Sequence, residues 1–357
     1  MQSDKNILIP HSFSTYLDLL RILAAIFVFI FHLKSRNLGH SSILNFIPNI
    51  SHFAVILFFI LSGYLIAASV DSKKELGLKE YVLDRLSRVY SVATPALILC
   101  LGFALIFSKN AISTELLTIL SNFLFLGQSW LLEINPFWNT PYWSLCYEVM
   151  YYILFGCFIF FKNWKRWLLI VIFSAVAGIK ILLLMPCWLL GVAIYHVRSC
   201  IKLNIFMAVL LAFLLPIACS VIMFYFRIHH QTNKLSAYLL SDYYGQAAFS
   251  GKFITDFVMA VLFAIHLYAM RYLMTNYHWG SRSTKLIKGG AAMSFTLYLI
   301  HQPLVRFVDN VVEVPRDNLT FMACLIGIPL TCYAISLLTE AKRPKFKAWL
   351  NETLFIK

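Results

Sequence analysis

The first apolar stretch of the chain contains an arginine and a histidine at a helical spacing. Arg21 and His32 stand eleven positions apart, and eleven residues of α-helix rise about 16 Å and make almost three full turns, so both side chains lie on one face. Ionisable groups inside a membrane span are costly and usually functional. Asp18, one turn before Arg21, can pair with it. In the simpler alternative, Arg21 is a cytoplasmic anchor and His32 an interfacial histidine.

A second candidate group is the segment 143–148 (WSLCYE), which opens a later apolar stretch. It predicts that Glu148 lies near the outer end of its helix, at the depth of His32. A carboxylate beside an imidazole fixes its tautomer and stabilises the imidazolium, as a general base requires. The alternative is an exposed glutamate in an interfacial belt of Trp and Tyr.

Two further groups have a spacing that suits chemistry. Arg85 and Arg88 stand one helical turn apart in a predicted inside loop, where two guanidinium groups could clamp a phosphate. The default explanation for such a basic cluster is membrane topology or contact with lipid head groups. His301, followed by Pro303, suggests a bent helix bordering a polar cavity, in which the histidine binds a substrate or caps the kink.

Composition decides which elements must position these groups. The 357 residues are 60% hydrophobic and 13% charged, with a mean hydropathy of +0.76, which excludes a soluble enzyme, a disordered chain and a disulfide-stapled scaffold. The net charge of +14 is attributed to membrane topology rather than to nucleic acid. The eight cysteines form no CxxC pair, and we expect no metal site.

The sequence predicts an all-α, polytopic bundle of about ten transmembrane helices. A span needs roughly 20 apolar residues. The candidate spans are 15–34, 52–70, 91–108, 143–161, 167–182, 184–197, 203–226, 253–273, 291–310 and 319–338, with a break at 182–186 and a short apolar run at 115–127. Most basic residues, Lys73 and Lys74 among them, fall on one side of this arrangement, which predicts that both termini are cytoplasmic.

Taken in order, these motifs resemble the acyltransferase 3 family of integral membrane acyltransferases. The first-helix motif matches at Asp18, Leu20, Arg21 and His32, with Leu19 in place of the family's usual glycine. Segment 58–66 (FFILSGYLI), which contains Ser62, resembles the second-helix signature. The resemblance covers about residues 13–345.

Three later motifs complete the resemblance. Arg85 and Arg88 match the family's RxxR element, although Ser91 stands where a proline is frequent. The remaining matches lie in two segments: Trp143, Ser144, Leu145, Glu148, Tyr151 and Tyr152 in the first, and Ser294, Tyr298, Leu299, His301 and Pro303 in the second.

The resemblance implies transfer of an acyl group, usually acetyl from acetyl-CoA, to a hydroxyl of an extracytoplasmic sugar. It implies that His32 and Glu148 are catalytic, with His32 as the general base, and that Arg21, Arg85 and Arg88 bind the donor. Asp18, Ser62, Trp143, Ser144, Tyr298 and His301 would line the substrate path.

The expected acyltransferase 3-like domain is 1–345, followed by a short basic cytoplasmic tail at 346–357. The expected location is the inner (plasma) membrane, and the expected partners are acyl-CoA, the bilayer and a polysaccharide acceptor such as an O-antigen. The rival hypothesis is a transporter or flippase for a lipid-linked saccharide, whose buried polar groups would line a translocation path.

Overall fold

A computed structural model describes residues 9–72, 77–197, 203–312 and 314–355. It is 82% helical, and the described residues include no strand, which confirms the prediction of an all-α polytopic bundle. Lys73 and Lys74 of the predicted inside loop, and the last two residues of the predicted tail, lie outside the described residues.

The described chain forms sixteen α-helices, joined in places by short 3-10 and π turns. They are α1 (His11–Ser35), α2 (Ser41–Leu44), α3 (Ser51–Ser72), α4 (Leu78–Phe107), α5 (Ile112–Phe123), α6 (Trp143–Phe160), α7 (Asn163–Ala177), α8 (Ile179–His196), α9 (Ile205–Val209), α10 (Leu215–Tyr225), α11 (Ile228–Leu240), α12 (Phe253–Leu273), α13 (Ser281–Ala291), α14 (Ser294–Phe307), α15 (Asn318–Leu338) and α16 (Arg343–Phe355).

Eight helical segments of the described chain are long and apolar enough to cross a membrane, so the protein is a multi-pass membrane protein. Ten spans were predicted. The difference comes from α7 and α14, which have only 15 and 14 residues. The side of the membrane on which the termini lie stays a prediction, as does the domain boundary at residue 345, which α16 crosses.

Two predicted boundaries are wrong, and the first is the start of α4. This helix begins at Leu78 rather than near residue 91, so Arg85 and Arg88 lie on a helix and not in a loop. The Glu80 carboxylate accepts the Gly77 backbone N–H (3.2 Å) and caps the helix. Hydropathy detects only the apolar part of a helix, whereas the hydrogen-bonded helix continues through its polar first turns.

The second wrong boundary is the break at 182–186. The chain breaks at Gly178, where φ is +78°, and Pro186 lies inside α8. A Cβ atom at Gly178 would stand 2.5 Å from the Trp130 backbone, so both the positive φ and the close approach require glycine. Transmembrane helices tolerate an internal proline because neighbouring groups satisfy the freed carbonyl.

Helix α3 lies at the centre of the bundle and packs against α1, α8 and α12. Glycines make its contact with α8 unusually close. A Cβ atom added at Gly63 would lie 2.1 Å from the Trp188 carbonyl oxygen, and one at Gly191 would lie 2.0 Å from the Ile60 carbonyl oxygen. Small residues at such positions let two membrane helices approach backbone to backbone. The glycine of the second-helix signature thus lets α3 pack closely against α8.

Gly63→Ala should destabilise the protein, because the new methyl group overlaps backbone atoms that cannot rotate away. Overpacking of this kind costs about 1–3 kcal/mol, and thermal unfolding of the detergent-solubilised protein should register the loss. Gly102→Ala in α4 is the matched control, since its Cβ would meet no atom within 4 Å. Equal unfolding temperatures for the two variants would contradict the packing described.

Candidate functional site

Three cavities follow one another through the bundle and share lining residues. The basic cavity (about 320 Å³) and the central cavity (about 50 Å³) share Arg21, Arg88 and Phe295. The central cavity and the histidine cavity (about 280 Å³) share Tyr298. The polar side chains around them are Asp18, Lys288, Glu340 and Arg343 in the basic cavity, Ser62, Ser144, Glu148 and Ser294 in the central cavity, and His32, Asn49, Ser51, His52, Thr140 and Lys252 in the histidine cavity.

Helix α1 runs alongside all three cavities. Arg21 lines the basic and central cavities, and His32 lines the histidine cavity. The prediction that both face the interior from one side of the helix is therefore confirmed. Asp18 lies 3.5 Å from Arg21 Nη1, as its spacing suggested. The two ends of α1 thus carry a cation and an imidazole into different cavities.

Glu148 lies in the central cavity, away from His32. Its carboxylate accepts hydrogen bonds from Ser62 Oγ (2.5 Å) and from the Tyr152 hydroxyl, and Trp188 Nε1 donates to Ser62 Oγ (3.3 Å). Among the residues that the structure describes, no hydrogen bond or ion pair joins Glu148 to His32, so the predicted pairing is wrong. Glu148 stands five residues, or about 7.5 Å of helix, deeper than Trp143, which lines the histidine cavity.

Tyr298 closes the boundary between the central and histidine cavities. Its hydroxyl shares a 2.7 Å hydrogen bond with Ser144 Oγ and lies 3.3 Å from the Pro141 carbonyl oxygen. The sequence placed Ser144 and Tyr298 on the substrate path, and the structure brings them into contact. Both cavities are lined by this ring, so Tyr298 stands between the Arg21 end and the His32 end of the cavity line.

His32 and His301 form a pair of imidazoles whose ring centroids are 5.2 Å apart. The nitrogen Nδ1 of His301 donates to the Leu297 carbonyl oxygen (2.8 Å). Its Nε2 is buried and has no hydrogen-bond partner in the described chain. Gln302 contacts His32 Nδ1 through its amide nitrogen (3.2 Å). The sequence left two roles open for His301, binding a substrate or capping the kinked helix. In the structure its ring is hydrogen-bonded to its own helix and packs against the His32 ring.

Arg85 and Arg88 do not form a joint phosphate clamp. Arg85 donates to Ser69 Oγ (3.1 Å) and lies over the Tyr152 ring at 5.5 Å, and it is not among the residues that line the three cavities. Arg88 lines two of them, and its side chain has no hydrogen bond or ion pair within the described ranges.

Around the basic cavity, Arg88 is joined by Arg21, Lys288 and Arg343. Sequence analysis missed Lys288 and Arg343, because it read these basic residues only as topology signals. The structure therefore replaces the predicted pair of arginines by a wider ring of cations.

The sequence analysis also missed a histidine–aspartate pair at the histidine cavity. His52 Nε2 lies 2.9 Å from Asp256 Oδ1; the histidine side chain is 28% exposed and the aspartate is fully buried. These residues are 204 positions apart, so no local motif joins them. The one available signal was Asp256 itself, an ionisable residue in an apolar span.

No three or more His, Cys, Asp and Glu side chains of the described segments come together as a metal site would require. Trp143, predicted to line the substrate path, does line the histidine cavity. Its ring is stacked on that of Phe249 (4.3 Å between centroids, 5° between planes).

A family model described as an acyltransferase domain, that of the acyltransferase 3 family, matches residues 14–340 of the chain. The protein belongs to this family, and it is a membrane acyltransferase that works on an acyl donor and an acceptor. Comparison with curated proteins and with solved structures gave no match.

Glu340 fastens the C-terminal segment to α14 at the edge of the basic cavity. Its Oε2 accepts hydrogen bonds from Thr296 N (3.2 Å) and Thr296 Oγ1 (3.0 Å). Thr296 is fully buried, so removal of the carboxylate would leave buried donors unsatisfied.

Glu340→Ala should lower the free energy of unfolding by about 1–3 kcal/mol, the desolvation cost of unsatisfied buried groups. Glu340→Gln keeps an acceptor oxygen and should retain most of the stability. Glu352→Ala, on the exposed side of α16, is the control. Thermal unfolding in detergent measures all three variants, and a Glu340→Ala protein as stable as the control would show that this contact contributes nothing.

Proposed function

We propose that the protein transfers an acyl group, in the first instance acetyl, from acyl-CoA to a hydroxyl of an extracytoplasmic carbohydrate. The observation that carries this proposal is the line of three cavities, with cations at one end and imidazoles at the other. A donor made in the cytoplasm and an acceptor outside it need separate entrances and one place to meet. A line of cavities that runs from a basic end to an imidazole end is suited to this requirement.

The basic cavity suits the anionic part of CoA. Arg21, Arg88, Lys288 and Arg343 face it, and guanidinium groups bind phosphates through paired hydrogen bonds. Asp18 and Glu340 also line the cavity, and they offset part of the positive charge while no ligand is bound. Because the guanidinium group of Arg88 has no hydrogen bond or ion pair within the described chain, its N–H donors are available to a ligand.

The acyl-pantetheine arm would then follow the central cavity toward the imidazoles. That cavity has a volume of only about 50 Å³, enough for one or two water molecules, so donor binding has to widen it. Tyr298 is the side chain whose movement would join the central and histidine cavities. Its hydroxyl is held by hydrogen bonds to Ser144 Oγ (2.7 Å) and to the Pro141 carbonyl oxygen (3.3 Å), and a rotamer change would break both.

The histidine cavity suits a sugar, because polar side chains and aromatic rings line it together. Ligand sites of this kind combine apolar surface with a few placed polar groups. The family resemblance implies that His32 is the general base for the acceptor hydroxyl. The Gln302 amide nitrogen is hydrogen-bonded to Nδ1 of His32, so His32 can take a proton at Nδ1 only after this amide has moved away. The partners and cofactor of this proposal are acyl-CoA, the carbohydrate and the bilayer, in an inner-membrane location.

The deciding experiment is an acyl-transfer assay with purified protein. Detergent-solubilised protein, radiolabelled acetyl-CoA and an oligosaccharide panel should give labelled sugar and free CoA in equal amounts. A flippase would give neither product. Mass spectrometry of surface glycan from a deletion strain, with and without the gene restored, should show the matching loss and return of acetyl groups.

Arg88→Gln should weaken CoA binding by roughly ten- to a hundredfold, the value of one or two charge-assisted hydrogen bonds at 1.4 kcal/mol per tenfold. Arg85→Gln is the control, and its effect should stay below about threefold because Arg85 is bonded to Ser69. Titration calorimetry with CoA measures both variants. A larger loss for Arg85→Gln would place the donor elsewhere.

His32→Ala should lower the turnover number by roughly 10²–10⁴, the usual contribution of a positioned acid–base group, with little change in CoA affinity. Initial rates at saturating donor, together with the calorimetric titration, separate the two effects. Retention of more than about a tenth of the wild-type rate would remove His32 from the chemistry.

A further inference from the structure

His52 is held in one orientation by two independent contacts. Its Nε2 meets Asp256 Oδ1 at 2.9 Å, and its ring lies nearly parallel to that of Trp143, at 16° with 6.2 Å between centroids. A carboxylate accepts hydrogen bonds, so Nε2 carries the proton of the neutral ring and Nδ1 carries the lone pair.

The lone pair of His52 is free and accessible. Nδ1 has no hydrogen-bond partner within the described ranges, and it is not among the buried unsatisfied atoms. The His52 side chain is 28% exposed whereas that of Asp256 is fully buried, and His52 lines the histidine cavity. Nδ1 is therefore the ring nitrogen of His52 that is available to a ligand in this cavity.

His32 has the opposite arrangement. The Thr140 backbone N–H donates to Gln302 Oε1 (2.5 Å), which fixes the direction of the amide. Gln302 Nε2 is therefore the atom that faces His32 Nδ1 (3.2 Å), and it donates to the Nδ1 lone pair. The neutral ring of His32 must then carry its proton on Nε2.

The two imidazoles of one cavity thus offer complementary groups: a free lone pair on His52 and an N–H on His32. Resting on the proposed acyl transfer, but replacing the base that the family resemblance implies, we propose that His52, and not His32, is the general base for the acceptor hydroxyl. Asp256 is then its positioning residue, and His32 donates its Nε2–H to the acyl carbonyl oxygen.

In the proposed reaction, His52 Nδ1 takes the hydroxyl proton as the acceptor oxygen bonds to the thioester carbonyl carbon. The oxyanion of the tetrahedral intermediate accepts the hydrogen bond from His32, as a donor placed for developing charge would require. The carbon–sulfur bond then breaks, the ester carbonyl re-forms, and the CoA thiolate takes the proton back from His52. The products are the acylated sugar and CoA, and both histidines return to their starting forms.

Hydrogen-bond geometry favours this division of roles. The carboxylate of buried Asp256 accepts the Nε2–H of His52, and its Oδ2 has no partner in the described chain. His52 can therefore keep this bond when its Nδ1 takes up a proton. A protonated His32 would instead point a second N–H at the Gln302 amide nitrogen and lose the hydrogen bond that it now accepts.

Glutamine substitutions separate the two roles, because a glutamine side chain donates a hydrogen bond but cannot accept a proton at neutral pH. In the acyl-transfer assay, His52→Gln should lose roughly 10²–10⁴ in turnover number. His32→Gln should keep at least a tenth of the wild-type rate, whereas His32→Ala should not. Asp256→Asn should lower the turnover number with both Michaelis constants unchanged, a split that a merely structural role would not produce.

Size-exclusion profiles and CoA titration verify that each variant is folded and binds donor, since His52 lies outside the basic cavity. The proposal is overturned if His52→Gln keeps more than a tenth of the activity, or if His32→Gln falls as far as His32→Ala. If wild-type protein itself releases no CoA with any acceptor, the proposed function fails, and this inference fails with it.

Discussion

The structure depends on one constraint: a charged or strongly polar side chain inside an apolar bundle must have a partner or face a cavity. Three such side chains have protein partners. Glu148 is hydrogen-bonded to Ser62 and Tyr152, and Asp256 is hydrogen-bonded to His52. Arg85 is hydrogen-bonded to Ser69 and lies over the Tyr152 ring. An unpaired polar group in a low-dielectric interior costs several kcal/mol. The groups left without a protein partner are therefore informative. Arg88 and the Nδ1 atom of His52 both border cavities, where a substrate can supply the missing interaction.

Close helix packing gives this polar arrangement its precision. The approach of α3 to α8 at Gly63 and Gly191 brings Trp188 within hydrogen-bond distance of Ser62, which in turn donates to Glu148. A residue with a side chain at Gly63 would separate the two helices and move Ser62 away from the central cavity. The family's second-helix signature thus combines a packing residue with a polar one, and the first determines where the second lies.

The division into a basic end and an imidazole end follows from the length of α1. A helix that carries Arg21 and His32 about 16 Å apart places them in separate cavities, and Tyr298 closes the boundary between these. In the proposed function, in which a donor and an acceptor come from opposite sides of the membrane, a closed boundary at Tyr298 would be an advantage. A permanent aqueous passage would let water reach the thioester and would make the membrane leaky.

The sequence alone determined the fold class, most helix positions, the family, and the inward face of α1, because hydropathy and helical spacing are local properties. It could not decide which polar groups meet. Glu148 was assigned to His32 on estimated depth, and five residues of helix were enough to put it in another cavity. His52 and Asp256 pair only because α3 and α12 pack together, and Gln302 acquires its role only because Thr140 fixes its amide. Tertiary packing alone sets these relations, because hydrogen bonds depend on ångström distances between residues far apart in the chain.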